Sequence, residues 1–111
     1  MRVRLIKKLT IENYLKRKGN SNRSSFEGWL SAIKHADWEK PADIIQTFST
    51  ADVLGKGCKR VVFNVGGNNA RVICKYAFGE KRVHLFVCWI GTHAEYTRLC
   101  ELNRQYYVES Y

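Results

Sequence analysis

The sequence predicts an α+β domain: a small, mostly antiparallel sheet with N-terminal helices on one face and a C-terminal helix. Three observations carry this. Apolar residues recur at helical spacing through most of the first half. Three apolar runs fill the second half, KRVVFNV (59–65), ARVICKYAF (70–78) and RVHLFVCWI (82–90). Short glycine-containing links join these runs, which is the signature of hairpins and so of an antiparallel meander. A length of 111 residues suits one domain spanning 1–111.

In chain order, RVRLI (2–6) alternates polar and apolar residues and reads as a short strand. Ile11, Tyr14 and Leu15 then follow i, i+3, i+4 spacing with Lys and Arg between them, an amphipathic helix ending near Gly19. GNSNRSS is a turn cluster. Ser24 and Glu27 match a capping box, and Phe26, Trp29, Leu30, Ile33 and Ala36 continue as a second helix to about Asp37. Pro41 suits the first position of a short helical turn, PADIIQTF. The three strands follow, and THAEYTRLCEL returns to helical spacing with Thr92 as N-cap. The expected order of main elements is β-α-α-β-β-β-α, with helices on one sheet face and the other face partly open.

Composition narrows the function. Hydrophobic residues at 45% and charged residues at 26% are near globular averages, so a small core is expected. No apolar run approaches the roughly 20 residues of a membrane span, and MRVRLIKKLT has no h-region of a secretory signal. One proline and 8 glycines exclude collagen-like and linker-like chains. The net charge of +9 points to a polyanionic partner, nucleic acid or an anionic surface. The charge is also segregated, at +7 over 1–23, −3 over 24–55, +6 over 56–82 and −1 over 83–111. For the first basic segment, a solvated helix face is as good a reading as a nucleic-acid grip.

Cys58, Cys74, Cys88 and Cys100 form no CxxC pair, and no His stands at zinc-finger spacing from them. Cys74 and Cys88 lie in apolar runs and read as small buried hydrophobes, which suits a reducing cytoplasm; a disulfide or metal is the alternative. No cofactor motif is present.

Strand alternation sorts the second basic segment by face. Arg71, Ile73, Lys75 and Ala77 share one side of their strand, and Arg60, Val62 and Asn64 share one side of theirs. Adjacent strands in the right register would set Arg60 and Asn64 beside Arg71 and Lys75, as a phosphate platform or a solvated sheet face. His93 follows the last strand within GTHAEY, and Tyr96 lies three residues on, on the same side of a helix starting at Thr92. An imidazole is the usual acid–base group near neutral pH, and a phenol can relay a proton or stack on a base. A structural hydrogen-bonding His is the competing reading. Glu95 is a first-turn acid favoured by the helix dipole. Gly66-Gly67-Asn68-Asn69 reads as a hairpin turn, since no helix or GK[ST] follows it.

The stretches ADW (36–38), PADI (41–44), RVVFNVGGN (60–68), RV (71–72) and IGTHAEY (90–96), in this order and spacing, resemble the HigB-type toxins of bacterial toxin–antitoxin pairs. The resemblance is detailed over about the last 80 residues and follows element order over the first 30. It implies a RelE-like fold and an endoribonuclease, an mRNA interferase that cuts messenger RNA, typically on the ribosome. It further implies a helix-turn-helix, HigA-like antitoxin that holds the toxin inactive. Two positions depart from the family pattern: Cys88 stands where a basic residue is usual, and Thr97 where Asp is usual.

On this reading the RNA 2′-hydroxyl attacks the adjacent phosphorus, and no metal is required. Arg71, helped by Lys59 or Arg60, is expected to stabilise transition-state charge. His93 is the expected proton-transfer group, as base or acid, and Tyr96 would position it or the scissile nucleotide. Asn64 is the candidate for a nucleobase contact. Arg60, Lys75, Lys7, Lys8, Lys16 and Arg17 are the candidates for RNA binding, with Arg2, Arg4 and Lys18 adding nonspecific charge. Two rival classes share the same composition. One is a noncatalytic RNA-binding module stacking bases on Phe63, Tyr76, Phe86 or Trp89. The other is a protein-interaction domain whose basic surface meets an acidic antitoxin.

Overall fold

A computed structural model describes residues 1–6, 8–18, 22–66 and 69–111. Its elements are β1 (Arg2–Ile6), α1 (Leu9–Lys18), α2 (Arg23–His35), α3 (Ala42–Thr47), β2 (Asp52–Val53), β3 (Arg60–Val65), β4 (Ala70–Phe78), β5 (Arg82–Thr92) and α4 (His93–Glu101), followed by a 3-10 turn at Arg104–Tyr106. The architecture is the expected α+β. Five strands form an open sheet in the order β1-β5-β4-β3-β2. All neighbours are antiparallel except β1, which runs parallel to β5. The two-residue strand β2 and the parallel pairing of β1 are additions to the sequence reading. Neither leaves a local signal, because β2 is too short to alternate and parallel pairing depends on a distant strand.

The main core lies between α1, α2 and one sheet face. Ile11, Tyr14 and Leu15 from α1 and Phe26, Trp29 and Ile33 from α2 meet Val61, Phe63, Val65, Val72, Cys74, Val83, Leu85 and Val87. Phe63 is the hub, with the rings of Trp29 and Phe48 edge-on at 5.3 and 5.1 Å. The other face is covered over half its width. A second cluster of Val62, Ile73, Cys88, Leu99 and Val108 packs it against α4 and the C-terminal segment.

Local corrections have local causes. α2 begins at Arg23 with Asn22 as N-cap and no side-chain cap bond, so the expected Ser24–Glu27 box does not form. Ser24 lies inside the first turn, where its hydroxyl no longer faces the free amides. Pro41 is the N-cap residue of α3 rather than its first residue. The expected cap at Thr92 is present as a full capping box. The Thr92 hydroxyl accepts from the Glu95 amide at 3.1 Å, and the Glu95 carboxylate accepts from the Thr92 amide at 2.8 Å. In β5 the register steps between Ile73 and Cys74, which face Trp89 and Val87, leaving Cys88 unpaired between them. This bulge turns Cys88 and Trp89 to the same face, interrupting strict alternation. All four cysteines are free thiols, and burial raises Cys74 and Cys88 above their ordinary pKa. Part of the expected turn at Gly66–Asn69 (Gly67 and Asn68) and part of the GNSNRSS cluster (Gly19–Ser21) lie outside the described residues. Gly66 holds φ +67°, and its carbonyl accepts from the Asn69 amide at 3.2 Å.

Candidate active site

The register of β3 on β4 decides which cations meet. Asn64 stands opposite Arg71, and Arg60 opposite Lys75. Arg71 in turn stands opposite Gly91 of β5, so Asn64, Arg71 and Gly91 form one row across three strands. His93 opens α4 just beyond that row. Arg71 is buried at 6% exposure, and its guanidinium reaches the Ala70 carbonyl at 3.1 Å and Nδ1 of His93 at 3.0 Å. A guanidinium only donates, so this contact makes Nδ1 the acceptor and leaves the ring proton on Nε2. The His93 side chain is exposed, while its backbone is held by the α4 cap and by Thr97, whose hydroxyl donates to the His93 carbonyl at 3.1 Å.

Tyr96 lies one turn along α4, half-buried. Its phenol is held well above its ordinary pKa, first by burial, then by a hydrogen bond with Cys100 and by the charge of Asp52; Arg71 opposes these. Tyr96 therefore stays protonated near neutrality, with a phenolic proton available to donate. Its ring tilts against Trp89 with centroids 6.2 Å apart. Trp89 lies flat over Gly91, where an added Cβ would stand 2.4 Å from the indole Cη2. Glycine at 91 is thus what lets the indole lie over its own strand and against Tyr96. Asp52, Cys100 and Gly91 were not among the expected site residues, and Trp89 was expected only as a base-stacking ring. The Trp-x-Gly spacing on one strand was the available signal for the last pair. Cys100 stands at i+4 from Tyr96 on α4, a spacing the sequence carries, whereas Asp52 reaches Tyr96 only through tertiary packing.

The remaining candidates separate. Arg60, an expected RNA contact, is 4% exposed, and its guanidinium donates to the carbonyls of Val108 at 2.6 Å and Gln105 at 3.4 Å and faces Glu109 at 3.5 Å, so it pins the C-terminal segment. Lys59, expected to assist Arg71, precedes β3 at the end opposite Asn64. Five residues of extended chain, about 16 Å, separate those positions, too far for one phosphate. Lys75 is exposed beside Arg60, also distant from Arg71 along the strand. Lys16 is exposed on α1. Arg17 donates to the Tyr111 hydroxyl at 3.4 Å and, with Lys18 and Glu95, lines a groove of about 370 Å³. Lys8 lines a different groove, of about 570 Å³, between β1 and α2. Lys7 lies outside the described residues. Among the described residues, no group of three or more His, Cys, Asp or Glu is arranged to hold a metal ion, and no helix is long and apolar enough to cross a membrane.

Residues 22–99 match the family profile described as HigB toxin, the RelE-like toxic component of a toxin–antitoxin system. An mRNA interferase HigB from Escherichia coli O6:H1 (strain CFT073) is 38% identical over 73 residues, 66% of this chain and 69% of that protein.

Proposed function

From the premise that this chain belongs to the HigB family of RelE-like toxins, we propose that it is an endoribonuclease that cleaves messenger RNA on the translating ribosome. It would act in the cytoplasm and be held inactive by a HigA-like helix-turn-helix antitoxin. The observation that carries the reading is the contact between the Arg71 guanidinium and His93 Nδ1, beside Tyr96 and in line with Asn64.

In the proposed chemistry the RNA supplies its own nucleophile. A 2′-hydroxyl loses its proton and its oxygen attacks the adjacent phosphorus; the P–O5′ bond breaks, and the 5′-oxygen takes up a proton. The products are a 2′,3′-cyclic phosphate and a 5′-hydroxyl, and no metal is called for. The buried Arg71 suits the negative charge that grows on the non-bridging oxygens. A phosphate that takes up the guanidinium also frees Nδ1 of His93 to accept the 2′-hydroxyl proton. Tyr96, kept neutral, donates to a phosphate oxygen and positions the nucleotide. Asn64 offers an amide to a nucleobase, although its Nδ2 now donates to the Thr50 carbonyl at 3.5 Å. The exposed Lys8, Lys16 and Arg17 add sequence-independent attraction to phosphates.

The test is induced expression in a bacterial host with primer extension on a reporter messenger. Growth arrest and discrete cuts are expected from the native chain. Both should disappear in His93→Ala and Arg71→Ala at equal protein level. Cuts that persist undiminished in His93→Ala would remove it from the mechanism.

A further inference from the structure

The sheet face that carries Arg71 is divided in two. α4 and the C-terminal segment cover Val62, Ile73 and Cys88, and Arg60 holds that segment down. Beyond it, towards β1, the same face is uncovered among the described residues. Register places Arg4, His84 and Ala77 in one row across β1, β5 and β4, and Ile6, Phe86 and Lys75 in the next. Arg4, Ala77 and Lys75 are exposed and His84 is half-buried. Phe86 is 37% exposed although β5 lies between two other strands. The rings of His84 and Phe86 are 6.3 Å apart and within 30° of parallel. A groove of about 400 Å³ runs past Lys75, Ala77 and Phe86 to Glu109 and Tyr111. These two rows carry no carboxylate, and Glu109, the one acid among the described residues of the groove, faces Arg60.

Near-parallel rings framed by cations match the two repeating features of an unpaired nucleic-acid strand, its base faces and its phosphates. We propose that this open half-face binds single-stranded RNA, stacking bases on His84 and Phe86 and holding phosphates with Arg4 and Lys75. Lys75 lies four residues from Arg71 along β4, about 13 Å, so the surface serves nucleotides flanking the cut rather than the scissile one. The choice of RNA as ligand rests on the ribonuclease reading above, and the surface is a second, stacking subsite for that substrate.

The test uses the full chain and a short, fluorescein-labelled, fully 2′-O-methylated pyrimidine oligonucleotide, which cannot be cleaved. Anisotropy should show affinity falling about 5- to 100-fold in Phe86→Ala. Phe86→Leu should lose nearly as much, since it keeps apolar volume but loses the π face. Lys75→Gln should flatten the salt dependence by about one unit of slope. Leu102→Ser, on the exposed end of α4, should bind as the native chain does. In the native chain, the ring proton resonances of His84 and Phe86 should shift on titration, a readout independent of variant folding. Unmoved resonances, or Phe86 variants that fold and bind within twofold of native, would overturn the proposal. The two readings fail separately. Cleavage without Phe86 dependence removes this subsite alone, whereas Phe86-dependent binding without cleavage in cells removes the nuclease and leaves the surface.

Discussion

The guanidinium of Arg71 on β4 donates to Nδ1 of His93 at the start of α4 across 3.0 Å, joining residues 22 apart in sequence. The contact sets the imidazole tautomer and gives a buried cation a partner. It also makes the two residues one unit. Removing either should cost about 10²–10³ in cleavage rate, and the double variant should cost much less than the product of the two. Single-turnover cleavage of a reporter RNA by the two single variants and the double variant checks this, and multiplicative losses would show independent roles.

Tyr96 should tolerate Phe poorly in cleavage and well in folding. The raised pKa keeps the phenolic proton in place, so Tyr96→Phe removes the donor that the proposed mechanism uses while keeping the ring against Trp89. A rate loss of at least tenfold at unchanged oligonucleotide affinity is expected. Equal rates for the two proteins would reduce Tyr96 to packing.

Stability should fall in alkali. Burial is the first cause raising Tyr14, Tyr76 and Tyr96 above 10.0. Above pH 10 the unfolded chain releases these phenolic protons while the folded chain keeps them. The unfolded state then binds fewer protons, and stability declines as pH rises. The contribution is complete below pH 10 and is lost progressively above it. Urea midpoints between pH 8 and 11 should show the fall, and Tyr96→Phe should make it shallower.

Arg60 should matter to stability rather than to cleavage. Arg60→Met deprives the Val108 and Gln105 carbonyls of their buried donor. A loss of about 2–3 kcal/mol in urea unfolding is expected, because hydrogen bonds from a charged donor exceed neutral ones. Hydrogen exchange should rise at Val108 and Ser110, whose amides bond to Arg104 and Cys88. Unchanged stability would mean that the C-terminal segment holds without its pin.

Gly91→Ala should disturb the site from a distance of one side chain. The new Cβ meets the Trp89 indole at 2.4 Å, and the ring must swing away from Tyr96. Such overpacking costs about 1–3 kcal/mol. Trp29 and Trp38 are buried at 4% and 0% exposure, so a change in fluorescence would report mainly on Trp89. A native spectrum would mean that the strand yields instead.

Much of the site was legible because strand alternation and helix capping are local. Arg60, Val62 and Asn64 share a face, as alternation implied, and the register sets them against Lys75, Ile73 and Arg71. Thr92 caps α4 with Glu95, which places His93 and Tyr96 one turn apart. The three long strands, the two amphipathic helices and the buried faces of Cys74 and Phe63 follow from residue order alone. Their periodicity needs no knowledge of what they pack against.

What tertiary structure decided was which of those residues are available. The sequence treats Lys59, Arg60, Arg71 and Lys75 as equivalent cations on neighbouring strands. Register and covering separate them. Arg71 falls beside His93, Arg60 falls under the C-terminal segment, Lys75 stays in solvent, and Lys59 falls at the far end. The covering segment is more than 40 residues from Arg60 in sequence, and β1 reaches β5 across most of the chain. Contacts of that separation leave no mark on either segment's own pattern. A charged side chain is compatible with solvent, with a carbonyl partner or with a phosphate, and only the three-dimensional neighbours choose among them.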